Sequence, residues 1–402
     1  MKRIYFDHAA TTPTDKTIAN AMLEYMTIKF GNPSSVHSFG REVRKEVSEA
    51  RENIAALINA TANEIFFTSG GSESDNFALK GIAFANKNKG NHIITTQIEH
   101  HAILHTCQWL EKQGFDVTYL PVDEDGMISL DELKAAITDK TILISIMFAN
   151  NEVGTIEPIK EIGAIAKERG IYFHTDAVQA VANVEIDVQD MNIDLLSLSG
   201  HKFYGPKGIG AIYIRRGVKI QPVQLGGAQE RKMRAGTENV PAIVGLGMAA
   251  QFAKRDFVEK NAQLIALRDK LIKGIQEQIP DIKLNGHPTK RLPGNVNFSF
   301  RYIEGESLLL SLDMKGIAAS SGSACTSGSL DPSHVLLAMG LIHEIAHGSL
   351  RISLGRDNTE EDIDYTLEVL PQIIARLRSM SPLCAENSMG ITSKECKTCY
   401  KK

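Results

Sequence analysis

The chain has 402 residues, 43% hydrophobic and 23% charged, which is enough to build one large core and a second, smaller one. A net charge of -4, with no block of Lys and Arg interleaved with aromatic residues, argues against nucleic acid as a partner. The N-terminal MKRIYFDHAA has no apolar segment after its positive charges, and the longest apolar run, residues 142–149, has the length of a strand. We therefore expect a cytoplasmic two-domain enzyme that does not enter a membrane.

The first long predicted element is a charged helix, SFGREVRKEVSEARENIAALI. From residue 64 to about residue 215, short β-branched or aromatic runs then alternate with turns and amphipathic stretches. This alternation predicts βαβ units and a mainly parallel sheet, because parallel neighbours need a crossover connection. The predicted strands are EIFFTSG, NHIITTQ, FDVTYLP, TILISIMFANN, IYFHTDA and DLLSLSG, and LDELKAAI and PIKEIGAIAKERG are among the predicted helices.

The second half of the chain has a different pattern. Residues 240–278 are predicted to be helical almost throughout, as a strut that leads out of the large domain. Residues 282–380 mix the strands NVNFSF and GSLRISLG with the helices ESLLLSLDMK and TEEDIDYTLEVLPQIIARLRSM, which predicts a small α+β domain. The last stretch, residues 381–402, lacks apolar periodicity.

Candidate chemistry begins where two predicted strands end. Lys202 follows a strand in LSLSGHKFYGPKG, where partial desolvation can remove its proton and make it a Schiff-base former, although many lysines in such loops are simply exposed. Asp176 and Gln179 follow the strand IYFHTDA. A carboxylate near such a lysine is what pyridoxal phosphate needs to keep its pyridine nitrogen protonated, and a capping or turn aspartate is the alternative.

A third stretch, FFTSGGSESDNFALKG, places Gly70, Gly71 and Ser72 between a strand and a helix. Backbone N–H groups and a hydroxyl at a helix N-terminus form a phosphate cradle, and a plain N-cap turn is the alternative. The glycine spacing matches neither a Walker motif nor a dinucleotide fingerprint, so it does not indicate ATP or NAD.

Together these motifs resemble a family. SGHK with YGPKG, DAVQ, TSGGSESDN, QIEHHA, NNEVG, RAGTEN and SSGSACTSG are similar in order and register, from about residue 5 to residue 382, to the cysteine desulfurases of the NifS/IscS type. The resemblance implies an α/β, fold-type-I enzyme with pyridoxal 5'-phosphate as its cofactor. It implies an N-terminal arm (1–15) packed on the small domain, a large cofactor domain (16–260) with a mainly parallel, seven-stranded type of sheet, a small α+β domain (261–382) and a flexible tail (383–402).

The resemblance also implies roles for single residues. Lys202 would bind the cofactor covalently and move the proton off the substrate Cα, Asp176 would pair with the pyridine nitrogen, and Gln179 would contact the ring hydroxyl. Thr237 would reach the phosphate from a second subunit, so a homodimer is expected. The other phosphate ligands implied are Gly71, Ser72, Ser199 and His201, and Asn151 is a further implied cofactor contact.

Two further implied contacts concern the substrate. His100 would stack on the cofactor and carry protons, a task suited to an imidazole, with a surface histidine as the alternative reading. Its neighbour His101 departs from the lysine-like residue common in the family, and the pair can share the work. Arg351, helped by Asn151, would hold the substrate α-carboxylate, and a structural ion pair is the alternative for this arginine.

The five cysteines show no disulfide spacing and are interpreted singly. Cys107 lies in an apolar run and is expected to be structural. Cys325, surrounded by Ser, Gly, Ala and Thr, is the predicted sulfur acceptor. Its long loop of small residues resembles that of the family group that works with scaffold proteins. Cys396 and Cys399 form a lone C-x-x-C, which can be half of a zinc site completed across a dimer, a redox pair, a sulfur relay or incidental thiols.

The stretch HEIAH, residues 343–347, has the letters of a zinc-hydrolase motif. The H-x-x-G-x-x-H extension is absent, because Leu350 and Ser353 occupy its Gly and His positions. A distant glutamate can in principle supply a third ligand, yet we expect no metal. The candidate glutamates are Glu360, Glu361 and Glu368.

The expected reaction is conversion of L-cysteine to L-alanine with a persulfide on Cys325, and selenocysteine is a possible second substrate. The sulfur would pass to an iron-sulfur scaffold protein or another acceptor. GGAQERKMRAGTEN is more similar to the NifS branch than to the housekeeping branch. The alternatives are another enzyme of this fold, either an aminotransferase or a selenocysteine lyase, and a zinc hydrolase.

Overall fold

A computed structural model describes residues 3–321 and 332–381. Its strands account for nearly every run predicted above, and several are shorter than predicted. They are β1 (Ile4–Tyr5), β2 (Ile65–Thr68), β3 (His92–Thr96), β4 (Asp116–Leu120), β5 (Thr141–Ser145), β6 (Tyr172–Asp176), β7 (Leu195–Ser199), β8 (Gly210–Ile214), β9 (Ile282–Leu284), β10 (Asn295–Phe300), β11 (Ile317–Ala318) and β12 (Ser349–Ser353).

Along the chain, the α-helices lie between and after these strands. They are α1 (Lys16–Thr27), α2 (Ser38–Leu57), α3 (Gly71–Asn86), α4 (His101–Glu111), α5 (Leu130–Ala136), α6 (Ile159–Arg169), α7 (Val240–Arg255), α8 (Phe257–Gln278), α9 (Gly305–Asp313), α10 (His334–Ala338), α11 (His343–His347) and α12 (Glu360–Met380).

The large sheet has seven strands in the order β2-β8-β7-β6-β5-β3-β4. All neighbouring pairs are parallel except those of β8, which runs antiparallel to both β2 and β7. The prediction of a mainly parallel sheet flanked by helices is confirmed. Since β3, β5 and β7 are buried along their whole length, helices cover both faces of this sheet, as a parallel sheet requires.

Two apolar clusters fill the two faces of the large sheet. One lies under α2 and α7 and includes Val47, Ile54 and Leu246. The other lies under α3 and α4 and includes Phe77 and Cys107. Cys107 is fully buried as a free thiol, and this burial raises its pKa, so it belongs to the core.

A third cluster belongs to the second half of the chain. There β9, β10 and β12 form an antiparallel sheet in the order β12-β10-β9, against which α8, α9 and α12 pack. The N-terminal strand β1 pairs in parallel with β11. The beginning of the chain therefore lies against its second half.

Residues 240–278, which were predicted to be helical almost throughout, form the two helices α7 and α8. Asp256 separates them with φ -96° and ψ 5°, and its N–H donates to the Phe252 carbonyl to end α7. The same residue then starts α8, where Lys260 N–H donates back to its carbonyl. The prediction that residues 240–278 are helical almost throughout is therefore confirmed, and the break at Asp256 falls where the sequence has no Gly or Pro.

The helices carry no membrane signature. In the two described ranges, none of them combines the length and the apolar character needed to cross a bilayer.

Candidate active site

Most of the predicted site residues line one cavity at the carboxyl ends of the central parallel strands, where a sheet of this type places ligands. They are contributed by the loops after β2, β3, β5, β6 and β7 and by β12 of the second half. The predicted residues that line it are Gly71, Ser72, His100, Asn151, Asp176, Gln179, Ser199, His201, Lys202 and Arg351.

The floor of the cavity is made by the ends of β6 and β7. These strands are parallel neighbours, so Asp176 at the end of one lies beside the Ser199–Lys202 turn at the end of the other. Asp176 Oδ1 accepts a hydrogen bond from Val178 N at 2.9 Å. Burial raises the pKa of Asp176 to about 6, and the Lys202 charge opposes this rise.

Below Asp176 lies a buried polar network that sequence reasoning missed. His174 Nδ1 is 2.9 Å from Ser145 Oγ and its Nε2 is 3.0 Å from Ser197 Oγ, while the Asp75 carboxylate lies 3.8 Å from Nε2. Burial lowers the pKa of His174 to about 3. Burial and the neighbouring Asp176 raise the pKa of Asp75 well above its usual range.

Lys202 points toward the N-terminal segment. Its Nζ donates to the backbone carbonyls of Ala9 at 2.6 Å and Ala10 at 2.9 Å. Gln179 Nε2 donates to the same Ala9 carbonyl at 2.9 Å. The segment FDHAATT, which follows β1, thus contacts two predicted cofactor ligands, a contact that sequence reasoning did not anticipate.

The N-terminus of α3 provides the predicted anion cradle. Gly70 has φ +154°, a value open to glycine, and a Cβ added to Gly71 would lie 2.6 Å from Val178 Cγ2. The first N–H groups of a helix have no intrahelical partner, and the helix dipole is positive there. Ser199 and His201 face this end of α3 across a shared pocket.

His201 is held by the same N-terminal segment. Its Nδ1 lies 3.1 Å from Thr11 Oγ1, and its carbonyl accepts from Thr12 N at 2.9 Å. Burial and the Lys202 charge lower the pKa of His201 to about 4. A neutral imidazole therefore stands beside the cradle at neutral pH.

His100 is the N-cap of α4, and its Nδ1 accepts from Ala102 N at 3.1 Å. Burial, with the charge of Lys202, lowers its pKa to about 4, so it is neutral between pH 5 and 8. His101 does not line the cavity: its ring contacts those of His334 and His105 in tilted arrangements, with centroid distances of 4.7 and 5.0 Å.

Arg351 enters the cavity from β12 and is 1% exposed. Its Nη1 donates to the Asn151 carbonyl at 3.0 Å, and its Nη2 donates to Asp7 Oδ1 at 2.9 Å. Its Nε is buried without a partner among the described residues. Sequence reasoning did not find Asp7, because 344 positions separate it from Arg351.

Some predicted residues lie elsewhere. Thr237 is exposed in the loop before α7 and does not line the cavity. The predicted sulfur acceptor Cys325 lies outside the described residues, as do Cys384, Cys396 and Cys399.

HEIAH forms the five-residue helix α11, on which both histidines and the glutamate are exposed. Across residues 3–321 and 332–381, no three His, Cys, Asp or Glu side chains are grouped so that they could hold a metal ion.

Comparison with known proteins agrees with this geometry. Residues 4–366 match the family model of the class-V aminotransferases. The chain is 64% identical over 384 residues to a cysteine desulfurase IscS of Clostridium botulinum, covering 95% of this chain and 97% of that protein, and 65% identical over 382 residues to one of Methanosarcina thermophila, covering 95% and 94%. The solved structure of a NifS-like protein superposes with a TM-score of 0.88 at 39% identity, covering 94% of this chain and 100% of that one. The chain therefore belongs to the class-V aminotransferases and, within them, to the cysteine desulfurases of the NifS and IscS type.

Proposed function

We propose that the protein converts L-cysteine to L-alanine and transfers the sulfur to Cys325 as a persulfide, with pyridoxal 5'-phosphate as its cofactor. The observation that carries the proposal is the convergence of Lys202, Asp176 and Arg351 on one cavity. An amine, a buried carboxylate and a guanidinium are the groups that this cofactor and an amino-acid substrate require. The relatives named above as cysteine desulfurases support the choice of substrate.

The cavity fits the cofactor. The N-terminus of α3 with Ser72, Ser199 and His201 suits a phosphate dianion, and the buried Asp176 suits a protonated pyridine nitrogen. Lys202 would hold the aldehyde carbon. When bound, the cofactor supplies a conjugated ring that delocalises the electron pair left on the substrate Cα after its proton is removed.

Lys202 and Arg351 then act on opposite ends of the substrate. Arg351 and Asn151 orient the α-carboxylate, which fixes the amino acid relative to the ring. The Lys202 amine takes the proton from Cα. Its described partners, the Ala9 and Ala10 carbonyls, accept hydrogen bonds from both the charged and the neutral amine and so orient Lys202 in either state.

His100 suits the transfer of the substrate thiol proton. It lines the cavity and is neutral at physiological pH, because burial disfavours its charged form. Because burial disfavours the charged imidazole, a proton that His100 accepts would be passed on rather than held. His101, outside the cavity, takes no part in this step in our proposal.

The sulfur step balances without a further reactant. The Cys325 thiolate attacks the substrate sulfur, a sulfur–sulfur bond forms as the Cβ–S bond breaks, and the released electron pair leaves with the substrate carbon, which is protonated to give alanine. The chain on both sides of residues 322–331 is tied to the cavity wall. Ser320 exchanges two backbone hydrogen bonds with Arg351, at 2.7 and 3.1 Å, and the Ser333 hydroxyl contacts the Glu152 carboxylate.

We also propose the assembly and setting expected from the sequence. The protein would act in the cytoplasm as a homodimer whose Thr237 completes the partner's phosphate site, and it would deliver sulfur to an iron-sulfur scaffold protein or another acceptor. The division into an arm (1–15), a large domain (16–260), a small domain (261–382) and a tail (383–402) is part of the same proposal.

The test compares two cysteine variants of purified protein loaded with the cofactor. Cys325→Ala is expected to keep the visible absorption of the bound cofactor and to lose alanine formation from L-cysteine. Cys107→Ala, which removes a core thiol, is expected to keep both. An aminotransferase or a selenocysteine lyase would have no need of Cys325, so alanine formation by Cys325→Ala at the wild-type rate would contradict the proposal.

A further inference from the structure

Arg351 is already bound to a carboxylate of its own chain. The side chain is 2% exposed and that of Asp7 is 22% exposed, and the two are joined at 2.9 Å between Nη2 and Oδ1. We propose that Asp7 is a specificity-determining residue, which competes with incoming carboxylates for Arg351 and so makes the site select amino acids over simple carboxylates. This inference rests on the proposed role of Arg351 in binding the substrate.

The partners of the guanidinium define what an incoming ligand meets. Nη1 is directed to the Asn151 carbonyl and Nη2 to Asp7, while Nε is buried without a partner among the described residues. At Nε a substrate carboxylate would therefore have no partner among the described residues to displace. A bidentate contact also needs Nη2, where the ligand has to share or displace the Asp7 carboxylate.

Asp7 is held in place by its neighbours. The Phe6 carbonyl accepts from Ser353 N at 2.7 Å, and Ala9 N donates to Ser353 Oγ at 2.9 Å, so the segment is clamped to β12 on both sides of Asp7. Tyr5 OH donates to the Asp7 carbonyl at 3.1 Å. Because the backbone is fixed, the Asp7 carboxylate stays near Arg351 when a ligand arrives.

The charge of Asp7 sets the strength of this competition. A carboxylate–guanidinium bond is roughly twice as strong as a bond to a neutral acceptor, and a shielded pair is weakly screened by salt. An unpaired guanidinium at this position would attract any small carboxylate. With Asp7 present, a small carboxylate gains little binding free energy at Arg351, because it has to share or displace the Asp7 carboxylate. An amino acid gains additional binding free energy from the interactions of its amino group at the Lys202 end of the cavity.

The same segment links both ends of the substrate site. Asp7 contacts Arg351, and the carbonyls of Ala9 and Ala10 accept from Lys202. Asp7 and these two carbonyls lie within three residues of each other, so a shift of the backbone at one of them would also move the other. This continuity favours a role for Asp7 in substrate selection over a merely structural ion pair between distant elements.

The test uses propionate, a carboxylate without an amino group, and measures its dissociation constant for the cofactor-loaded protein by calorimetry. Asp7→Asn keeps the size of the side chain and a neutral acceptor for Nη2 but removes the charge. We expect it to bind propionate about five to ten times more tightly than wild type. Asp7→Glu, which keeps the charge, is expected to restore weak binding.

A matched control, Asp15, lies three residues after the FDHAATT segment. Asp15 pairs with Arg356 at 2.6 Å, also between the N-terminal region and the second half of the chain, but Arg356 does not line the active-site cavity. Asp15→Asn is expected to leave the propionate affinity at the wild-type value. A change equal to that of Asp7→Asn would mean that any loosening of the segment has this effect, and the proposal would be wrong.

Asp7→Ser provides a second uncharged variant, so that poor folding of one does not decide the result. Unchanged or weaker propionate binding by the folded uncharged variant overturns the proposal. Calorimetry needs no turnover, so the outcome is independent of whether the wild-type protein forms alanine. Loss of the proposed function would appear in the alanine assay alone.

Discussion

The two walls of the active-site cavity hold their basic residues in opposite ways. On the wall built by the large sheet, Lys202 is hydrogen-bonded to two neutral backbone carbonyls. On the wall built by β12, Arg351 is paired with the Asp7 carboxylate. Neutral acceptors serve an amine that has to change its protonation state, while a carboxylate serves a guanidinium that stays charged throughout. The partner of each cation thus matches its task.

A single short segment supplies these two environments. Residues 7–10 present a side-chain carboxylate to one wall and backbone carbonyls to the other. Variants on the two walls should therefore have different defects. A change on the wall of the large sheet should reduce the rate of the reaction, and a change on the wall of β12 should weaken substrate binding. A change where the walls meet should alter the stability of the fold.

The largest effect is expected from Lys202→Ala. Because this removes the residue proposed as both the covalent cofactor anchor and the base for Cα, alanine formation should fall by at least about 10²- to 10⁴-fold. The measurement is alanine release from L-cysteine with added pyridoxal phosphate. The matched control is Lys260→Met, since Lys260, like Lys202, is half-buried and donates to a backbone carbonyl, that of Ala182. Equal losses of alanine formation in both variants would show that Lys202 has no role that Lys260 lacks.

Arg351→Lys should have the next largest effect and should fall on binding. Lysine keeps the charge but lacks the planar fork, so KM for L-cysteine is expected to rise by about 10- to 100-fold, with a smaller change in kcat. Arg356→Lys, which changes an arginine of the same chain region outside the cavity, is the control. A fall in kcat at unchanged KM would place Arg351 in the chemical step and contradict this assignment.

The smallest effect is expected where the walls meet, at Glu152. Burial raises its pKa from 4.5 to about 7, although Ser333 and Arg351 oppose the rise. A carboxyl whose pKa is raised in the folded state contributes stability that is complete below its unfolded pKa and is lost as pH rises through about 7. Wild type should therefore lose up to about 3 kcal/mol of unfolding free energy from this group between pH 4.5 and pH 8.

Glu152→Gln removes this titration and should flatten the dependence of stability on pH. Urea unfolding at pH 5.5 and pH 8.5 measures it. Glu124→Gln, on an exposed turn, should leave the wild-type slope unchanged. An unaltered slope in Glu152→Gln would show that Glu152 is ionised in the folded protein across this range.

The parts of the site that were predictable follow strands directly. Asp176 and Lys202 stand at the ends of β6 and β7, and Gly71 opens α3, so apolar runs followed by polar residues marked them. The resemblance, rather than periodicity, pointed to His100 and Arg351. Both kinds of signal are carried by contiguous residues.

What sequence reasoning missed depends on contacts between distant parts of the chain. Asp7 gains its role only when β12 folds against the N-terminal segment, and Asp75 is placed near His174 only by packing of α3 on the large sheet. Asp75 stands in a polar stretch, SESDN, that reads as an ordinary helix start.

The connection between β7 and β8 determines how firmly the reactive amine is mounted. Gly200 N donates to the Ile209 carbonyl and Gly205 N donates to the Gly200 carbonyl, both at 3.0 Å, and both strands lie inside the sheet rather than at its edge. Exposing the amides of this hairpin requires rupture of the sheet itself, so they should be among the slowest in the protein to exchange with deuterium. The cofactor anchor would then outlast the fluctuations by which the surrounding loops admit cysteine and release alanine.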